Sequence, residues 1–295
     1  MMTMKRRASL VLISSITVPC SIAGFVPATS KRLQVWKTSA IHEDKDKGAD
    51  GTKAITKTKT DIIDILLDNR PLNDDSDDDT ARSQFGTRQY WDDVYLGRGD
   101  FPAEEYSWYF GWEILESYVK EYIPTVTDNS ATGGSSPVHI LCPGVGNDRI
   151  LVDLYRSKLC TRITAFDYSE HAIERQRDLL SFELPAKTKT AIDNDSIDLH
   201  TMDARKLPNP DWNERFDAVI EKGALDAIYL SGDGNVERAV AELGRVLKPG
   251  GIFLSISGVV PPELRKELFQ EWEWIKDGSD ELQAGCFVLK KPKPE

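Results

Sequence analysis

Gly144-Val145-Gly146-Asn147 follows the apolar run Val138 to Cys142 and leads into a helical stretch. Two glycines there let the backbone come close to a ligand, and the amides of the turn and helix start are oriented donors for a negative group. Asp167 stands 23 residues after Gly144, at the end of the next apolar run. At that place a carboxylate accepts hydrogen bonds from both hydroxyls of a ribose. The competing role is a helix N-cap, which Ser169 fills just as well. Met202-Asp203-Ala204 closes a third apolar run and offers a carboxylate and a backbone amide to the amine or ring nitrogen of a base. The order describes a nucleoside site. A nicotinamide or flavin fingerprint needs a third glycine for close helix-strand packing, and Arg149 occupies that position, which argues against a dinucleotide.

These residues need a scaffold that brings strand ends together. Short apolar runs at Val138 to Cys142, Ile163 to Asp167, Ile197 to Met202, Phe216 to Glu221 and Gly251 to Ile256 read as strands. Helical stretches near 148–158, 170–182 and 235–247 lie between them. Trp272 to Lys276 and Cys286 to Lys290, around Asp277-Gly278, read as two more strands. Strands alternating with helices demand a mostly parallel sheet covered on both faces. In such a sheet ligands sit at the carboxyl ends of the strands. Upstream, 88–96 and 108–123 carry apolar and aromatic residues at helical spacing. They predict a helical cap, ended by Pro124 and the Gly133-Gly134-Ser135-Ser136-Pro137 break. The expectation is a Rossmann-like, doubly wound α/β fold: seven strands, mostly parallel, with an antiparallel last strand and an N-terminal helical cap.

Composition separates this part of the 295-residue chain from what precedes it. From Met1 to His42 there is no Asp or Glu, while Lys5, Arg6, Arg7, Lys31, Arg32 and Lys37 are basic. A basic start, a short apolar stretch from Leu10 to Val18 and small residues at Ala23-Gly24 read as a removable leader, too short to span a bilayer. The run Ile22-Ala23-Gly24-Phe25-Val26-Pro27, followed by a basic, hydroxyl-rich stretch, resembles the bipartite plastid leader of algae with secondary plastids. A secretory signal or mitochondrial presequence is the alternative. Residues 43–80 turn acidic and end in Asp74-Asp75-Ser76-Asp77-Asp78-Asp79; they read as a solvated linker. Six of the seven Trp lie beyond it, which places the core in residues 81–290 and leaves 291–295 as a tail. A net charge of -11 argues against a nucleic-acid-binding face, since that affinity rests on basic contacts. Neither a membrane nor a metal is expected, and Cys20, Cys142, Cys160 and Cys286 show no paired-cysteine spacing.

The residues from Val138 onward resemble class I S-adenosylmethionine-dependent methyltransferases, through Gly144-Val145-Gly146-Asn147, Asp167-Tyr168-Ser169, Met202-Asp203, Phe216 to Asp226 and Leu247-Lys248-Pro249-Gly250-Gly251. More narrowly they resemble the group with lysine methyltransferases of elongation factor 1A and of citrate synthase. Tyr90-Trp91-Asp92-Asp93-Val94-Tyr95 and Tyr106-Ser107-Trp108-Tyr109 match that group's N-terminal cap, and Glu221-Lys222-Gly223-Ala224-Leu225-Asp226 is the most specific mark of all. The resemblance departs at Cys142-Pro143. It implies that S-adenosylmethionine contacts Trp91, Tyr95, Tyr106, Gly144, Gly146, Asn147, Asp167, Tyr168, Asp203, Ala204 and Lys222. Aromatic faces attract a sulfonium by about 0.5–2 kcal/mol each; core packing is their competing role.

Methyl transfer from a sulfonium needs alignment and water exclusion more than acid-base help. A lysine acceptor must nevertheless arrive neutral, against an ordinary pKa of about 10.4. Glu221 and Asp226 are the candidates to orient an incoming ammonium, with capping or a salt bridge to Lys222 as the competing reading. Strand four carries no Asn-Pro-Pro-Tyr motif, which the resemblance would tie to an amide or adenine nitrogen, and the domain is acidic; a protein lysine acceptor is therefore expected. A monomer is also expected. A small-molecule methyltransferase is the alternative, and a silent cofactor-binding domain the alternative of another class.

Overall fold

A computed structural model of the chain describes residues 81–124, 137–184, 196–207, 210–278 and 284–294. The expected leader, the acidic linker and Gly133 to Ser136 lie outside the described residues. Seven strands form one sheet: β1 (His139–Pro143), β2 (Arg162–Asp167), β3 (Ile197–Thr201), β4 (Phe216–Lys222), β5 (Leu247–Ser257), β6 (Glu273–Lys276) and β7 (Gly285–Lys290), in the order β3-β2-β1-β4-β5-β7-β6. The first five pair in parallel, and β7 runs antiparallel to both β5 and β6. This is the expected architecture.

Strand alternation divides the apolar residues between two cores. Ile140, Cys142, Ala218, Ile220, Leu254 and Val288 face one way, onto α2 (Trp112–Tyr122), α3 (Ile150–Ser157) and α4 (Glu170–Glu183). Leu141, Val219, Phe253, Phe287 and Leu289 face the other, onto α5 (Ala224–Leu230) and α6 (Asn235–Val246). Because both faces are covered, β1, β2, β4 and β5 are buried along most of their length and read as apolar runs, whereas the edge strand β3, Ile197-Asp198-Leu199-His200-Thr201, alternates. Among the described residues no helix is long and apolar enough to cross a membrane.

The cap differs from expectation. Helix α1 (Arg88–Tyr95) begins at Thr87, whose hydroxyl accepts from the Tyr90 amide at 3.3 Å. The expected helix over 108–123 starts only at Trp112. Residues 96–111 form a strap instead, in which Tyr109 has φ of 65°, a left-handed conformation that cannot continue an α-helix. Two short helices, α5 and α7 (Pro262–Leu268), were not expected. Helix α5 follows Gly223, whose φ of 80° makes a sharp corner after β4. Seven residues are too few for a helical period to stand out.

Phe253 at the centre of β5 packs its ring 5.3 Å from Phe269 and 5.9 Å from Trp272, with no solvent exposure. Truncation there leaves a cavity that covalent neighbours cannot fill. Phe253→Ala is expected to cost about 3–5 kcal/mol, read as a lowered urea midpoint with an unchanged slope.

Candidate functional site

A cavity of about 640 Å³ opens at the carboxyl ends of the parallel strands. All eleven residues expected to hold the nucleoside ligand line it: Trp91, Tyr95, Tyr106, Gly144, Gly146, Asn147, Asp167, Tyr168, Asp203, Ala204 and Lys222. Its volume lies within the usual range for small-molecule sites, about 300–1,000 Å³.

The floor is the turn after β1. Gly144 and Gly146 have φ of 57° and 53°. A Cβ on Gly144 would lie 2.5 Å from that of Ala224, and one on Gly146 would lie 2.9 Å from the Tyr95 hydroxyl oxygen. Both the backbone conformation and the space therefore require glycine. The Gly146 amide donates to Asp167 Oδ2 at 2.9 Å, and the Ser169 amide to Oδ1 at 3.0 Å. Ser169 caps α4 through the Ala172 amide, so Asp167 is left to face the cavity. Burial raises its pKa to about 6 against the two amide hydrogen bonds. Asp203, half-exposed, receives both Nε and Nη2 of Arg205 at 2.7–3.0 Å, so a ligand amine there would share a carboxylate already held in plane.

The wall is aromatic and comes from α1 and the strap. Trp91 lies 6.2 Å from Tyr95 and 5.6 Å from Trp108, ring centre to ring centre. Trp108 lies 5.3 Å from Tyr106 and 4.9 Å from Phe101. Such pairs fix ring orientation as well as burying area. The Trp91 indole donates to the Phe85 carbonyl at 2.7 Å, which sets its face. Asn147 anchors the strap: its amide donates to the carbonyls of Pro102 at 2.7 Å and Ala103 at 3.3 Å.

Lys222 differs from expectation. Its side chain is only 6% exposed, and its ammonium is 2.6 Å from Asp148 Oδ2, 3.1 Å from the Ser107 hydroxyl and 2.5 Å from the Trp108 carbonyl. An ammonium has three donors, and all three are committed. The residue touches the cavity through its stem, while its charge fastens the strap to β4. Asp148, which completes this latch, was missed in the sequence because it belongs to no recognisable spacing, and Ser107 stood there only as part of the Tyr106-Ser107-Trp108-Tyr109 cap motif.

Glu221 and Asp226 also need correction. Glu221 is fully buried and does not line the cavity. It accepts from the Ser255 hydroxyl and, at 3.2 Å, from the Leu225 amide. Burial, reinforced by Asp226, raises its pKa to about 7. It cannot touch an incoming amine and acts inside the fold. Asp226 lines the cavity, yet its carboxylate accepts from the Ser257 hydroxyl at 2.5 Å and from the amides of Gly258, Val259 and Val260 at 2.9–3.0 Å. It also accepts from the Tyr109 hydroxyl at 2.5 Å. Its role is to hold the loop after β5 and to hold Tyr109, a residue the sequence offered only as part of a cap motif. The buried Arg265, hydrogen-bonded to Ser255 and Ser257, neutralises charge behind this pair.

Residues 141–255 match a family described as a methyltransferase domain. The chain is 28% identical over 188 residues to the protein-lysine N-methyltransferase EFM4 of Saccharomyces cerevisiae, covering 61% of this chain and 77% of that one. It is 26% identical over 184 residues to the mitochondrial citrate synthase-lysine N-methyltransferase CSKMT of Pongo abelii, covering 61% and 74%. Against the eEF1A lysine and N-terminal methyltransferase of Xenopus laevis it is 29% identical over 181 residues, 60% of this chain but 22% of the longer relative.

Removing one partner of a buried ion pair leaves the other charge uncompensated, at about 3–5 kcal/mol. Lys222→Met is therefore expected to destabilise the chain by that order and to raise hydrogen exchange at the Tyr106 and Trp108 amides. The double variant Lys222→Met/Asp148→Leu should recover much of the stability but not the slow exchange. Equal stability in the single variant and the wild type would contradict a latch.

Proposed function

We propose, for a chain that belongs to the class I methyltransferases, that it transfers methyl from S-adenosylmethionine to a lysine side chain of a protein. One observation carries the reading: a single cavity joins a glycine turn, the buried carboxylate of Asp167, the edge of Asp203 and an aromatic wall. That donor set fits the cofactor. The turn amides suit its carboxylate, Asp167 its ribose hydroxyls, Asp203 with Ala204 its adenine, and the faces of Trp91, Tyr95 and Tyr106 its positive sulfur. When bound, S-adenosylmethionine supplies a methyl group on a sulfonium.

The protein's own part is to bind, orient and exclude water. Asp167 holds the sugar only while ionised. The strap covers the site with apolar rings, which keep water from competing with a neutral amine. The lysine acceptor is supported by the relatives, which are lysine methyltransferases of proteins. The aromatic wall also suits an alkyl amine better than a phosphate or a base edge. We further propose that the acid-free leader directs the chain to a plastid; the support is the sequence of residues 1–42 alone.

Two measurements test the reading. Incubating the protein and methyl-tritiated cofactor with a plastid lysate should place label in protein, released as methyllysine on hydrolysis; label only in small solutes would favour the small-molecule alternative. Calorimetric titration with S-adenosylmethionine should show affinity constant above pH 7 and falling by about tenfold per unit below pH 6. The sign follows from Asp167: protonation near pH 6 removes the acceptor that the ribose needs. Asp167→Asn should weaken binding by about 2 kcal/mol and flatten that profile.

A further inference from the structure

The sheet order β3-β2-β1-β4-β5 puts Asp203, Asp167 and the Gly144–Gly146 turn on one side of the cavity. The other side, toward the ends of β4 and β5, is lined by Tyr109, Asp226 and Val259, and the nucleoside does not need it. Tyr109 is strained there. A bulky residue at φ of 65° is strained and persists only where its surroundings over-determine it. They do so here. Its ring sits 3.4 Å from where a Cβ on Gly223 would be, and its hydroxyl donates to Asp226 at 2.5 Å. Asp226 in turn is fixed by Ser257 and three successive amides.

This arrangement makes the phenol an acceptor. Burial holds the group well above its ordinary pKa, so it keeps its proton and cannot serve as a base. That proton is committed to Asp226. The Gly258 amide likewise donates to Asp226, at 2.9 Å. The phenol oxygen keeps its own acceptor lone pair, which donation to a carboxylate strengthens.

We propose that Tyr109 is a catalytic residue whose phenol oxygen accepts a hydrogen bond from the acceptor amine and aims its lone pair at the methyl group. The inference rests on the lysine reading given above. Tyr109 transfers no proton. The neutral amine nitrogen provides the electron pair of the new N–C bond, the pair of the broken bond stays on the donor's sulfur, and the positive charge passes to nitrogen, which then loses a proton to water.

Sinefungin carries an amine in place of the sulfonium methyl, and S-adenosylhomocysteine carries neither. Calorimetric titration of the full chain with each, at pH 8, isolates the contact without an acceptor. Tyr109→Phe is expected to cut the preference for sinefungin over S-adenosylhomocysteine by about tenfold, the worth of one hydrogen bond to a charged group, with S-adenosylhomocysteine affinity within about twofold of wild type. If Tyr109→Phe fails to fold, 3,5-difluorotyrosine incorporated in place of Tyr109 keeps the ring and the bond to Asp226 while weakening the oxygen as acceptor. The preference should then fall by about threefold. An unchanged preference in whichever of these variants folds overturns the proposal. The lysate experiment judges the lysine reading separately: a wild-type chain that labels no lysine defeats that reading, while the sinefungin ratio decides the contact at Tyr109.

Discussion

A lysine ammonium enclosed at the end of a central strand must replace its hydration shell with protein groups, and Lys222 draws three of them from two separate stretches of chain. Asp148 comes from the turn after β1, and Ser107 and the Trp108 carbonyl come from the strap. Any movement of the strap would leave the charge in a poor environment, where its interactions with alternative partners are few. The electrostatic cost of exposing that mismatch is what fixes the aromatic wall against the sheet ends. The glycine turn and the rings can then share one cavity although no backbone ladder joins them.

Behind the cavity lies a second polar layer. Glu221, Ser255, Arg265, Ser257 and Asp226 form a connected hydrogen-bonded chain in the space between β4, β5 and α7. Two carboxylates and one guanidinium leave a surplus of negative charge, and the raised pKa of Glu221, caused first by burial, relieves it. With that adjustment the layer stays rigid and holds the loop after β5, meeting the cavity only at Asp226. Buried polar networks of this kind are stable only when every member is satisfied.

The sheet was legible in the sequence because a doubly covered parallel strand must be apolar along its length, and four such runs, together with the alternating Ile197 to Thr201, stood between turn signals. The ligand side was legible for a related reason: Gly144, Gly146 and Asp167 sit at strand ends where the topology converges. What escaped was whatever depends on distant side chains. Residues 108–111 carry a helical pattern, but Asp148 and Lys222 claim Ser107 and the Trp108 carbonyl, and Tyr109 turns left-handed. The charged pair Glu221 and Asp226 looked reactive because carboxylates at a strand end so often are. Five donors on one of them and complete burial of the other were visible only in three dimensions.

The two halves of the cavity are held by different means. One is written into the sheet, whose parallel pairing fixes Gly144 and Asp167 together; the other hangs mainly on side-chain fastenings, with one backbone bond from the Tyr106 amide to the Asn147 carbonyl, and most of it lies outside residues 141–255, the stretch that matches the methyltransferase-domain family. Loops positioned by a rigid scaffold tolerate change that the scaffold does not. A chain of this design can reshape the wall by rewriting the strap while the glycine turn and Asp167 stay in place, so change is expected first in the wall and last in the floor.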